Sequence, residues 1–250
     1  MYFKHSQITM YYQKEGKGKN SILILPGWGN TRETFQTIIN HFKEYFTIYS
    51  LDYPGFGKSP IPETELTIYD YGKYIKEFIK ENKIENPIII AHSFGGRITS
   101  LLSYYEVPIK KIILIDVAGI KRKKKLNIFL KEIIYKFLKK IFNKNNEIKK
   151  KLFLKFSSDD YKAIPSIMRK TFQNIIQEDL RKYYKIIKQD TLIIWGEKDK
   201  DTPLKDAYLL QKMIQNSGLI VYKNGNHFSY LEKPYDTIII LKEFLKKDMD

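Results

Sequence analysis

The chain predicts an α/β fold, a mostly parallel central sheet with helices on both faces. Three observations carry this. Short apolar runs rich in β-branched residues recur along the sequence, and stretches with a 3.6-residue apolar period separate most of them. Strands that alternate with helices pair in parallel and are covered on both sides. The chain has 250 residues, 43% of them hydrophobic and 29% charged, which suits one globular domain with a sizeable core.

In chain order, strands are expected near Ile8 to Tyr12, Ile22 to Leu25, Thr47 to Leu51, Ile88 to Ile90, Ile112 to Ile115, Leu192 to Trp195 and Leu219 to Tyr222. Helices are expected over Thr31 to Lys43, Ile68 to Asn82, Arg97 to Tyr105, Pro203 to Gln215 and Tyr235 to Lys247. The alternation fails between Gly119 and Lys188, where the patterning is helical throughout. No internal repeat and no low-complexity linker breaks the chain. It contains no cysteine, which excludes a disulfide framework, a thiol nucleophile and a thiolate metal site. Neither a signal peptide nor a stretch of about 20 apolar residues is present, so a cytoplasmic location is expected.

The chemistry points to Ser93. The run Ile88-Ile89-Ile90-Ala91-His92-Ser93-Phe94-Gly95-Gly96 passes from a strand into a tight turn and then a helix. A serine on such a turn is backbone-strained and needs small neighbours two residues away, which Ala91 and Gly95 supply. It also lies at a helix N-terminus, where free N–H groups favour negative charge on a substrate oxygen. Here the chain resembles the α/β-hydrolase family, with Ala91 in place of the more usual first glycine.

A serine hydroxyl needs a general base, and the base needs an acid to hold its tautomer. Of the four histidines, His5 lies in the N-terminal strand region, His41 ends a helical stretch, and His92 points away from its neighbour Ser93 in an extended chain. His227 remains, in the turn-rich Asn224-Gly225-Asn226-His227-Phe228, at the position the family uses. The resemblance implies that Asp199, after the apolar run Thr191 to Trp195 and the glycine turn, is the acid. Asp201 reads as part of the cap of the following helix. Asp116, after the strand Ile112 to Ile115, is a rival because some relatives draw the acid from there. The order Ser93, Asp199, His227 is that of this fold.

By family position the oxyanion donors are the backbone N–H groups of Trp28 and Phe94. Trp28 sits in the loop Pro26-Gly27-Trp28-Gly29-Asn30, where relatives usually carry His-Gly, and between two glycines it is expected to line the substrate cleft. The turn Asp52-Tyr53-Pro54-Gly55-Phe56-Gly57-Lys58-Ser59 resembles the family's D-x-x-G-x-G-x-S signature and is assigned structure, with Phe56 at most touching the pocket.

The resemblance divides the chain into a core, residues 1–118 and 189–250, and a helical cap, residues 119–188, inserted after the sixth strand. From Lys121 to Lys188 there are 21 Lys and Arg against 6 Asp and Glu, so the segment holds +15 of the formal +16. Residues 126–142 read as an amphipathic basic helix. Such a lid is either a solvated face or a collar for an acidic partner. It suits an anionic membrane surface or an acyl carrier protein, as in the carrier-protein methyl ester esterases the chain resembles. Nucleic acid is discounted because no recognition module accompanies the charge.

The function expected is that of a serine hydrolase cleaving a carboxylic ester or related acyl bond of a small molecule through an acyl-enzyme. The alternatives are a binding protein or receptor on the same fold, and a C–C bond hydrolase or lyase with the same residues. No cofactor and no metal are expected.

Overall fold

The structure is a computed structural model that describes residues 1–121 and 164–249. Its strands are β1 (Tyr2–His5), β2 (Ile8–Glu15), β3 (Ser21–Leu25), β4 (Thr47–Leu51), β5 (Ile88–His92), β6 (Ile112–Ile115), β7 (Thr191–Gly196) and β8 (Ser217–Tyr222). They form one sheet in the order β1-β2-β4-β3-β5-β6-β7-β8. Among the described residues, only the β1–β2 and β2–β4 pairings are antiparallel. β2 runs three residues past the expected Tyr12, because Gln13, Lys14 and Glu15 still pair with β4 across a half-exposed edge that tolerates polar side chains.

The helices are α1 (Gln36–Phe42), preceded by a 3₁₀ turn at Arg32–Phe35, α2 (Ile68–Glu81), α3 (Phe94–Tyr104), α4 (Ser166–Ile176), α5 (Arg181–Tyr184), α6 (Leu204–Met213), α7 (Ser229–Glu232) and α8 (Pro234–Leu245). The sheet's period of two sorts the core. Leu23, Leu25, Ile89, Ala91, Ile112, Leu114, Ile193 and Trp195 face α2, α3 and α6, while Ile22, Ile24, Ile88, Ile90, Ile113, Ile115, Leu192 and Ile194 face α1 and α8. Both faces are apolar because both are covered, so the central strands read as continuous apolar runs and not as alternating ones.

Register gathers the loops. Leu25 pairs with Ala91, His92 with Ile115, Ile115 with Ile194, and Gly196 with Tyr222. The chain therefore leaves β3, β5, β6, β7 and β8 at nearly one level, and their following loops converge at the carboxyl edge, where open parallel sheets present their sites.

Of the segment expected as a cap, residues 119–121 and 164–188 are described, and the basic helix expected over 126–142 lies outside the described residues. α4 is fastened to α3 by Arg97, whose buried guanidinium donates to the carbonyls of Ile175 (3.1 Å) and Glu178 (3.2 Å). Carbonyls at a helix C-terminus lack intrahelical donors, so a cation there satisfies both hydrogen bonding and the helix dipole. Among the described residues, no helix is long and apolar enough to cross a membrane.

Candidate active site

Ser93 is the residue between β5 and α3, with φ 47° and ψ −108°. This is left-handed backbone, costly for a residue with a Cβ. The turn is tight enough to dictate its neighbours. A Cβ on Gly95 would lie 2.1 Å from the carbonyl oxygen of Leu25, and one on Gly96 2.4 Å from Val117 Cβ. Phe94 opens the helix, so its N–H has no intrahelical acceptor and lies at the positive end of the helix dipole.

His227 stands in the loop between β8 and α7. Its Nε2 is 3.0 Å from Ser93 Oγ and its Nδ1 2.8 Å from Asp199 Oδ2. The second distance fixes the tautomer: an ionised carboxylate only accepts, so Nδ1 carries the proton and Nε2 offers its lone pair to the serine. Asp199 is held by four donors. The N–H groups of Asp201 and Thr202 reach Oδ1, both at 2.8 Å, and the Thr202 hydroxyl joins His227 on Oδ2 at 2.6 Å. Burial opposes ionisation of Asp199, but the hydrogen bonds from His227 and Thr202 prevail and hold its carboxyl below the ordinary aspartate value. Burial likewise opposes charge on His227, yet the hydrogen bond and charge of Asp199 prevail and hold its pKa above the ordinary histidine value. An imidazole so arranged can take the serine's proton and be stabilised as the cation that results.

The carboxylate bonded to His227 Nδ1 is that of Asp199, and the sequence rivals hold other positions. The carboxyl of Asp116, fully buried, bonds to Gly196 and Ser229. Pro203 occupies the N-cap position of α6 with no side-chain cap bond, and the backbone N–H of Asp201 donates to Asp199. His5 pairs with Glu81 at 2.8 Å, far along the chain from this edge.

Sequence reasoning missed two residues. Thr202 was a mere flank of the acid, yet its hydroxyl shares the acid's oxygen with His227. His92 does point away from Ser93, but into the base's loop: its Nε2 donates to the carbonyl of His227 at 2.8 Å, and its ring packs 4.9 Å from that of His227. Burial and the neighbouring His227 push its pKa down to about 3, so it is neutral. The β alternation that turned it from Ser93 was the available signal.

Trp28 is half-buried after β3. Its ring meets Phe56 at 4.8 Å, Phe94 at 5.4 Å and, from α4, Phe172 at 5.3 Å. These rings make an aromatic wall beside the serine turn. The Asp52 to Ser59 turn is structural: Asp52 accepts the N–H groups of Arg32 and Lys58, each at 3.0 Å, while the hydroxyl of Ser59 donates to the Asp52 carbonyl at 2.6 Å. Among the described residues, Asp199–Asp201–His227 and His5–Glu77–Glu81 bring donor atoms within 4.8 Å of one another, and in each set the imidazole is already bonded to a carboxylate.

The family model for the alpha/beta hydrolase fold matches residues 20–141 and 124–234. A pimeloyl-[acyl-carrier protein] methyl ester esterase of Wigglesworthia glossinidia brevipalpis is 31% identical over 259 residues, covering 93% of this chain and 96% of the relative. Among solved structures, a hydrolase from Pseudomonas aeruginosa superposes with a TM-score of 0.77 at 16% identity, covering 98% of this chain and 97% of its own. An esterase from Exiguobacterium antarcticum gives a TM-score of 0.75 at 23% identity, with 96% of each chain covered. With the family model and a relative of this extent in agreement, the chain belongs to the α/β-hydrolase family.

Proposed function

We propose that this protein is a serine hydrolase of carboxylic esters, with Ser93 as nucleophile, His227 as general base and acid, and Asp199 as the group that orients His227. The observation that carries the reading is the continuous chain Ser93 Oγ to His227 Nε2 at 3.0 Å and His227 Nδ1 to Asp199 Oδ2 at 2.8 Å. It begins on a strained residue at the start of a helix.

In this mechanism Ser93 Oγ attacks the ester carbonyl while its proton passes to His227 Nε2. The carbonyl oxygen takes up negative charge and is held by the backbone N–H groups of Trp28 and Phe94. Collapse breaks the ester C–O bond, and the alkoxide leaves with the proton from His227. A water then gives its proton to His227, adds to the acyl carbonyl and frees the acid, restoring Ser93. Base catalysis of this kind contributes about 10²- to 10⁴-fold, and each oxyanion donor about 10²- to 10³-fold.

The aromatic wall of Trp28, Phe56 and Phe172 supports an apolar acyl group. Two observations support a carrier-linked ester in particular: the 31% identical relative is an acyl-carrier protein methyl ester esterase, and the expected cap concentrates the chain's positive charge. A chain-length series of p-nitrophenyl esters run beside a fluorophosphonate label tests the reading. Multiple turnovers with labelling of Ser93 are expected. Stoichiometric binding without turnover would turn the assignment to a receptor, and turnover of a C–C substrate alone to the other chemistry this fold supports.

A further inference from the structure

We infer that Asp116 is a positioning residue whose carboxylate ties the turn carrying Asp199 to the loop carrying His227. The inference rests on the hydrolase reading above. Asp116 directly follows β6, which lies between the strand that delivers Ser93 and the strand that delivers Asp199. Its side chain is fully buried. Oδ1 accepts the N–H of Gly196 at 2.7 Å, while Oδ2 accepts the N–H of Ser229 at 3.2 Å and its hydroxyl at 2.5 Å.

The two partners sit where they matter. Gly196 closes β7 and its carbonyl takes the N–H of Asp199 at 3.3 Å, so it anchors the acid's turn. Ser229 lies two residues beyond His227, at the start of α7. The Asp116 backbone joins in, its carbonyl oxygen standing 3.0 Å from the Thr202 hydroxyl that also bonds Asp199. One residue thus bonds the segments that carry both partners of the serine, with no hydrogen bond to the imidazole itself.

A buried carboxylate is an expensive way to join two loops unless its charge is also used. Burial pushes its pKa up to about 7 against the pull of the Ser229 and Gly196 donors. The titratable groups facing it are Asp199 from the β7 turn, His227 from the β8–α7 loop, Tyr222 from β8 and Tyr230 from α7. Burial disfavours charge on His227, and after Asp199 and Asp201 the negative charge of Asp116 adds to what favours its protonated form. That is the form the base must reach when it takes the serine's proton.

The isosteric change is informative. In Asp116→Asn one oxygen becomes an NH₂, which must face a backbone N–H of Gly196 or Ser229 whichever way the amide turns. The Ser229 hydroxyl can rotate to accept, but neither backbone N–H can. Two consequences are expected: displacement of one loop, lowering kcat on the order of 10- to 100-fold with KM within about twofold, and a lower pKa for His227. A residue that only stabilised the fold would move neither, and Ser229→Ala, which keeps the charge, separates its loss from displacement of a loop.

The experiment measures kcat and KM on a p-nitrophenyl ester, Ser93 labelling by a fluorophosphonate, and the His227 pKa by NMR, for wild type, Asp116→Asn and Ser229→Ala. Ser229→Ala keeps the carboxylate and removes one bond, so a fall in kcat of about 3- to 10-fold is expected. A wild-type kcat and an unmoved His227 pKa in Asp116→Asn would overturn the inference. So would a loss as deep as that of Asp199→Asn, since Asp116 would then be the acid. If Asp116→Asn does not fold, Ser229→Ala decides: an unchanged kcat overturns the inference and a fall sustains it. Failure of the underlying reading has a separate signature, a wild type whose Ser93 takes no label.

Discussion

Replacing Asp199 by asparagine should cost on the order of 10⁴-fold in kcat, and the structure shows why the change cannot be absorbed. Asp199 Oδ1 accepts two backbone N–H groups, from Asp201 and Thr202, both at 2.8 Å. In the variant the amide oxygen must stay with those donors, which places its NH₂ where Oδ2 now faces His227 Nδ1 at 2.8 Å. That nitrogen then has to accept. The imidazole proton moves to Nε2, and the lone pair 3.0 Å from Ser93 Oγ is lost. A triad held in the wrong tautomer loses about 10⁴-fold, or roughly 5.4 kcal/mol at 1.36 kcal/mol per decade. The assay is kcat on a p-nitrophenyl ester, with Asp201→Asn as comparator, because Asp201 serves Asp199 through its backbone N–H, which asparagine keeps. Asp201→Asn should stay within about threefold of wild type. An Asp199→Asn enzyme within tenfold of wild type would refute the reasoning.

Other predictions follow from the same geometry. Ser93→Ala should lose on the order of 10⁴-fold or more in kcat and all fluorophosphonate labelling while keeping the circular dichroism of the wild type, and retained ester hydrolysis would sink the nucleophile assignment. Ser93→Gly should be equally inactive yet melt above Ser93→Ala, since glycine adopts φ 47° freely; a lower melting temperature would argue against strain at this turn. Because the His227 pKa is raised above the ordinary 6.5, and only the neutral imidazole accepts the serine's proton, kcat/KM should fall as pH drops through a value above 6.5; a midpoint at or below it contradicts this. Replacing Lys121, Arg122, Lys123, Lys124 and Lys125 with glutamine should spare small neutral esters but slow an acidic carrier-linked ester at low salt, the difference closing as salt screens the field over about 10 Å at 0.1 M. Equal rates on both substrates at low salt would leave those residues a solvated face.

Much of this architecture was legible because burial on both faces leaves a simple trace. The central strands are unbroken apolar runs, such as Ile88-Ile89-Ile90, and their following turns carry the small and polar residues. The loop residues Ser93, Asp199 and His227 could be nominated from local chemistry, and His227 stands within hydrogen-bond reach of the other two. What sequence could not convey is how distant segments meet. Nothing in Ala91-His92-Ser93 says that the far side of His92 faces the carbonyl of a residue 135 positions on. Asp116 was noticed for its place at a strand end, but its two loop partners lie 80 and 113 positions away, and nothing local to it points to them. The edge of β2 was cut short for the opposite reason, since its polar end pairs by backbone and leaves no apolar signal.

The strain at the site is shared between neighbouring turns. Ser93 and Asp116 both have φ 47°, and each holds an L-residue in a conformation that costs about 1–3 kcal/mol. Such conformations persist only where surrounding bonds over-determine them. Here the bonds run between the turns themselves: Ser93 N–H donates to Ile115 O at 3.1 Å, Ala118 N–H to Ser93 O at 2.9 Å, and Asp116 N–H to Ile194 O at 3.0 Å. The parallel ladder is thus carried past the last strand residue on β5 and β6, and relaxing either turn would break bonds of the other. The serine's backbone is fixed by the turn of Asp116, whose carboxylate in turn bonds the loops of Asp199 and His227. A perturbation at the end of β6 should therefore reach all three residues, although none of their side chains is hydrogen-bonded to Asp116.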